Sequence, residues 1–470
     1  MSAPCSKDRN TQSVARAWRK IAPFLKAESG MPVGVIESMD QEARGITRLD
    51  GKTIFVEGAL PGETVEYASF RRKPSYEIAV AERIVKASSQ RIAPLCPHFG
   101  VCGGCSLQHA NPAAQVAFKQ RLLENNLRQI SRLKAEQIYP AVFGDAWGYR
   151  HRARLSVRNV PKNGGVMVGF HERRSSYVAD MTSCQILPKR VSDLLLPLRG
   201  LIAGLSIRDR LPQIEVAMGA HQLAMVFKVL APPSKSDSQR LIAFAKEHGI
   251  TAYLQAKGPD SVLRLWPAPD DASASELSYL LPEFAIDMAF RPTDFTQVNH
   301  RINEVMIRRA MSLLQPQQGE RIADMFCGLG NFTLPIARSG ASVFGVEGSA
   351  SLIQRAGENA VRNGLGQQAT YAVANLFEID GEKLARYGRF DKMLIDPPRE
   401  GAAELVKALP EEGGPQRIVY VSCNPATLAR DAGILVDVKK YRLRGAGVIN
   451  MFPQTSHVES IALFERDMDS

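Results

Sequence analysis

A chain of 470 residues, 45% apolar and 23% charged, is long enough for about three domains and several buried cores, so it needs no disulfide or metal merely to fold. Lysine plus arginine number 59 against 48 acidic residues, a net +11 that suits a polyanionic partner without identifying one. No apolar run approaches the roughly 18 residues of a membrane span, the N-terminal stretch lacks a signal peptide's apolar core, and seven cysteines are no disulfide framework; a cytoplasmic protein with no membrane association is expected.

Residues 1–28 read as a basic, disordered tail, with Cys5 in no assigned role. Residues 29–90 hold short period-2 apolar runs broken by turn signals at LDGK and LPGE, which predicts a small β-barrel. Arg44, Arg48, Arg71, Arg72 and Lys73 punctuate it, and Phe70 and Tyr76 flank the last three. Arginines beside stacking rings suit single-stranded RNA, and a solvated loop explains them about equally well.

Residues 91–290 read as a central α+β region. It opens with Cys96, Cys102 and Cys105 on one glycine-rich loop, PLCPHFGVCGGCSLQH. Three thiolates this close need a cation or cluster between them, and Cys184 is the natural fourth ligand. Four thiolates suit zinc or a [4Fe–4S] cluster, and the five-residue gap favours iron–sulfur. His98 and His109 nearby are possible ligands, but read better as polar surface residues. A helix follows in AQVAFKQRLLENNLRQISRL, then strands in RARLSVRNV, GVMVGFH, QIEVAMG and QLAMVFKVL.

From residue 291 to 470 strands alternate with helices, the pattern of a doubly wound, Rossmann-like parallel sheet. RIADMF leads into the glycine turn CGLGN and then a helix. Such a turn brings backbone close to a ligand at a helix N-terminus. Asp324 precedes it, and Glu347 ends the next strand near the roughly 20-residue spacing at which a carboxylate meets ribose hydroxyls. Position 333 is Thr, so the glycine pattern of an NAD site is incomplete. Asp396 before Pro397-Pro398 and Cys423 before Asn424-Pro425 each follow an apolar run, where strand ends build active sites. Polar, turn-forming neighbours favour a reactive thiolate at Cys423 over a structural one. His457 and Glu459 introduce the final strand.

The ordered set DFTQVN, DMFCGLGNF, VEGS, IDPPREG, VSCNP and HVES resembles the RNA uracil-5 methyltransferase family across roughly residues 30–468. The start, with GKTIFVEGALPGE, resembles a TRAM (OB-like) domain, and the cysteines are similar to those of the iron–sulfur members. Together they resemble the branch acting on 23S rRNA rather than the tRNA enzymes. The resemblance implies that Gln297, Phe326, Asn331, Glu347, Asn375 and Asp396 contact S-adenosylmethionine. It implies Cys423 as nucleophile, Glu459 as proton acceptor, and Cys96, Cys102, Cys105 and Cys184 as ligands of a [4Fe–4S] cluster of structural role. Cys327 reads as structural. The chemistry fits these parts: a thiolate adding to uracil C6 makes C5 nucleophilic toward a methyl sulfonium, and a base must then remove the C5 proton. The expected reaction is methylation of C5 of a specific uridine in 23S rRNA by a monomer with no obligate protein partner. The rivals are the same chemistry on tRNA or another rRNA uridine, a cytosine-5 enzyme, an amino-group enzyme and a non-enzymatic iron–sulfur RNA-binding protein. An amino-group enzyme would place an aromatic ring where Arg399 stands.

Overall fold

The computed structural model describes residues 30–258, 261–271 and 276–466; the N-terminal tail and Cys5 lie outside the described residues. The chain divides into two units. The first comprises the residues up to 115, 170–181 and 454–456; the second comprises 116–169, 182–453 and 457 onward. None of the described helices is long and apolar enough to cross a membrane.

Six strands of the first unit form one sheet: β1 (Val33–Val35), β2 (Ser38–Met39), β3 (Gly45–Leu49), β4 (Lys52–Glu57), β5 (Thr64–Arg72) and β6 (Tyr76–Lys86), in the order β1-β5-β6-β4-β3-β2. The LDGK signal becomes the tight hairpin between β3 and β4. Leu49 pairs with Lys52, and both loop residues take the left-handed region, Asp50 at φ 50° and Gly51 at φ 77°. That pair of positive φ values matches the right-handed strand twist, which is why Asp-Gly is favoured there. Alternate residues Ile54, Val56, Val65, Tyr67 and Ala79 turn inward to a small core. Arg44 is tied to Asp40 and Glu42 and lies over the Phe55 ring at 4.8 Å, so its charge is already matched.

In the same unit Cys96 and Cys102 are buried and Cys105 is partly so; in the second unit Cys184 is buried, and none of the four is in a disulfide. Among the described residues, no group of three or more His, Cys, Asp or Glu side chains stands close enough to hold a metal. His109 corrects the surface reading: it is 3% exposed and lies 5.5 Å from the Phe99 ring. Burial, with Arg91 nearby, pushes its pKa down to about 3, so it is a neutral core residue.

The second unit holds most of helix α1 (Pro112–Ile130) and three sheets. The predicted central strands are all present: β8 (Arg152–Val160), β9 (Gly165–Gly169), β10 (Gln213–Met218) and β11 (Leu223–Lys228). With β12 (Thr251–Gln255) and β13 (Val262–Trp266) they make a sheet in the order β13-β12-β11-β10-β8-β9. Helices α2 (Leu195–Ala203) and α3 (Lys235–His248) accompany it; Ser234 and Asp237 close a capping box on α3. Strands β14 (Ser278–Leu281) and β15 (Ile286–Ala289) form a short hairpin sheet.

The third sheet orders eight strands as β18-β17-β16-β19-β20-β22-β21-β7. These are β7 (Gln137–Ile138), β16 (Arg321–Met325), β17 (Ser342–Glu347), β18 (Ala369–Val373), β19 (Lys392–Ile395), β20 (Arg417–Ser422), β21 (Arg442–Ile449) and β22 (Glu459–Glu465). Strands β16 to β20 pair in parallel, as the alternating pattern predicts. Beside them run α4 (His300–Leu314), α5 (Thr333–Arg338), α6 (Ala350–Arg362), α7 (Gly381–Ala385), α8 (Ala403–Ala408) and α9 (Pro425–Gly433). The chain winds one way from β16 through β17 to β18, and the other way through β19 to β20. The order therefore reverses between β16 and β19, the place where open α/β sheets bind ligands. The end of the sheet departs from the all-parallel expectation. β21 and β22 form an antiparallel pair, and β22 inserts against β20, because a short loop between them permits only a hairpin return.

Candidate active site

A cavity of about 540 Å³ opens at the carboxyl ends of these strands. It is lined by residues that include Gln297, Phe326, Asn331, Glu347, Asn375, Asp396, Cys423 and Glu459. All eight catalytic and cofactor residues expected from the sequence thus reach one pocket of the second unit. The register explains why. Met325 pairs with Val346 and with Ile395, so Phe326, Glu347 and Asp396 leave their strands at one level. Glu347 pairs with Val373, and Asn375 follows two residues on.

The glycine turn is shaped by backbone torsion. Phe326, Gly328 and Gly330 have φ of 66°, 54° and 92°, and the Gly328 N–H points at Glu347 Oε2 at 3.3 Å. Held at positive φ, Phe326 sets its ring 5.6 Å from that of Phe377, an apolar wall beside a carboxylate. That wall suits an adenosine-like group. Asn331 has a second duty: its Oδ1 accepts from Tyr279 Oη at 2.8 Å and from Asn303 Nδ2 at 3.0 Å, and its Nδ2 donates to Asn303 Oδ1 at 2.9 Å. Asn303, which the motifs did not flag, backs Asn331 from behind the cavity wall. It is a buried amide on the inner face of α4, and a polar residue on an apolar stripe was the available signal. Beneath the turn, Thr333 Oγ1 donates to Asp324 Oδ2 at 2.5 Å. Burial, opposed by that hydrogen bond, pushes the Asp324 carboxyl up to about 7.

Cys423 and Glu459 are brought together by strand pairing. Ser422 pairs with Ser460 across β20 and β22; Cys423 follows the first and Glu459 precedes the second. Each lies one position beyond that last pair, and both line the pocket. Burial, then Glu459 and Asp396, push the Cys423 thiol up to about 12, against a downward pull from Arg399. Burial, then Asp396, lifts Glu459 well above the usual carboxylate range. Burial lifts Asp396 to about 7. Burial thus disfavours the charged form of all three, and a cation bound beside them would favour it.

The rim contains residues that the motif reading left without a role. Arg399 Nη2 donates to His457 Nδ1 at 2.9 Å. A guanidinium cannot accept, so Nδ1 is the acceptor and the ring proton sits on Nε2. Burial, then Arg399, Lys119 and Arg150, push the His457 pKa down to about 4, so the ring is neutral. Asn424 ties two loops together: its Oδ1 caps α9 by accepting from the Ala426 N–H, and its Nδ2 donates to the Arg399 carbonyl at 3.1 Å. Cys327 is buried, and burial with Asp324 and Glu347 pushes its thiol far up.

Comparison with known proteins came to the same region. The family described as tRNA (Uracil-5-)-methyltransferase matches residues 285–467. The chain is 59% identical over 435 residues to a 23S rRNA (uracil(1939)-C(5))-methyltransferase of Dechloromonas aromatica, covering 93% of this chain and all of that protein. It is 60% identical over 437 residues to the protein of the same description from Aromatoleum aromaticum, with 93% and 100% covered. Among solved structures it is similar to the Pyrococcus abyssi tRNA (uracil-54, C5)-methyltransferase in complex with S-adenosyl-L-homocysteine. There the TM-score is 0.69 at 25% identity, over 92% of this chain and 100% of that one.

Proposed function

The chain belongs to the RNA uracil-5 methyltransferase family, whose 23S rRNA members match nearly its whole length, and from that premise we propose how its pocket works. It transfers a methyl group from S-adenosylmethionine to C5 of a uridine in 23S rRNA. The observation that carries the mechanism is that Cys423 and Glu459, each one position beyond the last β20–β22 pair, line the pocket that also holds Glu347 and Asp396.

Phe326, Glu347, Asn375, Asp396 and Gln297 line the place for S-adenosylmethionine, which supplies an electrophilic methyl group on a positively charged sulfur. The Cys423 thiolate adds to uracil C6, and the displaced electron pair makes C5 the nucleophile that takes the methyl group. Glu459 then accepts the C5 proton. The C6–S bond breaks as the C5–C6 double bond re-forms, and Cys423 leaves as the thiolate. The target base must be unstacked to reach this pocket.

The test uses two RNAs carrying 5-fluorouridine, a 23S rRNA fragment and a tRNA T-arm. Fluorine at C5 cannot leave as a proton, so the Cys423 adduct should persist on a denaturing gel when S-adenosylmethionine is present. A band with the rRNA fragment is expected; a band only with the T-arm would overturn the substrate, and none with either would overturn the mechanism. The perturbed groups also set a sign. Cys423 and Glu459 are both held protonated, and each must lose its proton to act. Adduct formation needs the Cys423 thiolate, so its rate should climb with pH and still be rising at about pH 9, below the thiol's value of about 12. A flat or falling profile would contradict the assignment.

Further proposals rest on the sequence pattern. Residues 29–90 act as a TRAM-like, barrel-type RNA-binding module, 91–290 as the iron–sulfur region and 291–470 as the methyltransferase domain, in a cytoplasmic monomer. Cys96, Cys102, Cys105 and Cys184 are proposed to bind a [4Fe–4S] cluster, and no step above depends on it. Their spacing and their freedom from disulfides support this. Iron and sulfide analysis of anaerobically purified protein should find about four of each per chain. An iron-free protein of normal fold and activity would overturn it.

A further inference from the structure

Lys119 occupies an uncommon environment for a lysine. It sits on the inner stripe of α1 with Val116, Leu123 and Leu127, all buried, and is itself 2% exposed. Its Nζ donates to Asn450 Oδ1 at 2.8 Å and to the Phe452 carbonyl at 2.9 Å. Both acceptors are neutral, and among the described residues no carboxylate pairs with it. Burial alone pushes its pKa down to about 7. An ion buried without a partner is expensive, and an apolar side chain of the same shape often serves the fold as well or better. A feature this costly invites the question of what it holds.

It holds the segment between β21 and β22. A second side chain grips the same stretch, Tyr149 Oη donating to the Pro453 carbonyl at 2.8 Å, and Gln120 Oε1 accepts from the Val448 N–H near the end of β21 at 3.2 Å. The Phe452 ring, which lines the pocket, lies 5.5 Å from the ring of His457.

We propose that Lys119 is a positioning residue for the base-binding wall of the pocket, fixing Phe452, and His457 through it, at the place the uracil must occupy beside Cys423. The inference rests on the uridine C5 reading. The cofactor side is built separately, on the ends of β16, β17, β18 and β19. Loss of the brace should therefore damage the RNA step and spare the cofactor.

Full-length Lys119→Met is the main variant, and Tyr149→Phe, which deletes a single hydroxyl, is the milder one. Turnover on the rRNA fragment should fall by about tenfold or more in Lys119→Met, since small misplacements of reacting groups are heavily penalised. The KM for S-adenosylmethionine should stay within about twofold. Tyr149→Phe should shift the same constants in the same direction by less. Wild-type turnover and RNA KM in both variants would overturn the proposal, as would an equal loss of cofactor affinity. Should Lys119→Met fail to fold, Tyr149→Phe decides on the same constants. A wild-type enzyme that forms no covalent complex with 5-fluorouridine RNA would instead remove the reading on which the proposal rests.

Discussion

Cys423→Ala should abolish both the covalent complex with 5-fluorouridine RNA and detectable turnover, a loss of about 10⁴-fold or more, since nothing else in the pocket can form the bond to C6. The other sulfur on the pocket wall, Cys327, cannot substitute: it is buried under the glycine turn, with its thiol pushed far up by burial and by Asp324 and Glu347. The substitution removes one half-buried sulfur at a strand end, so folding should be intact and S-adenosylmethionine should bind within about twofold of wild type. Binding can be followed by calorimetry on the same sample that is run on the gel. A covalent band that persists in Cys423→Ala would mean that another nucleophile attacks.

Glu459→Gln should separate addition from release. Glutamine keeps the shape and the β22 ladder but cannot accept the C5 proton. Addition and methyl transfer should proceed and then stall, so a covalent complex should accumulate with ordinary uridine RNA, where the wild type shows only passing amounts. Turnover should fall by about 10² to 10⁴, the usual contribution of a general base. Stability should move the other way. A carboxyl whose pKa is raised in the folded protein contributes stability while protonated and loses it as pH rises through the folded value. Glutamine has no such loss, so thermal unfolding at alkaline pH should be unchanged or higher. Wild-type turnover in Glu459→Gln would transfer the proton to a different acceptor.

Some of this was legible because it is local. The Asp50-Gly51 hairpin and the strand–turn–helix around residues 321–338 follow from torsional preferences and periodicity that neighbouring residues set. The polar residues that end each apolar run of the parallel sheet could be named for the same reason: where a strand stops is written next to it. His109 shows the limit. A histidine beside a cysteine loop looks solvated until the chain folds Phe99 against it. Asn303 and Lys119 show it again. Each is a polar residue on an apolar helix face, and its meaning lies in partners far along the chain, Asn331 and the segment 450–452.

The sequence by itself determined the element types of the second half, the glycine turn and the order of the polar groups at the strand ends. Only the tertiary structure decided that they meet. The reversal of strand order at β16 and β19 brings Phe326, Glu347 and Asp396 to one level, and the antiparallel insertion of β22 beside β20 brings Glu459 and Cys423 to one pocket. Local chemistry fixes which residue can do a task. Facing is set by hydrogen bonds between strands distant in sequence, where a slip of one residue would turn either side chain to the other side of the sheet.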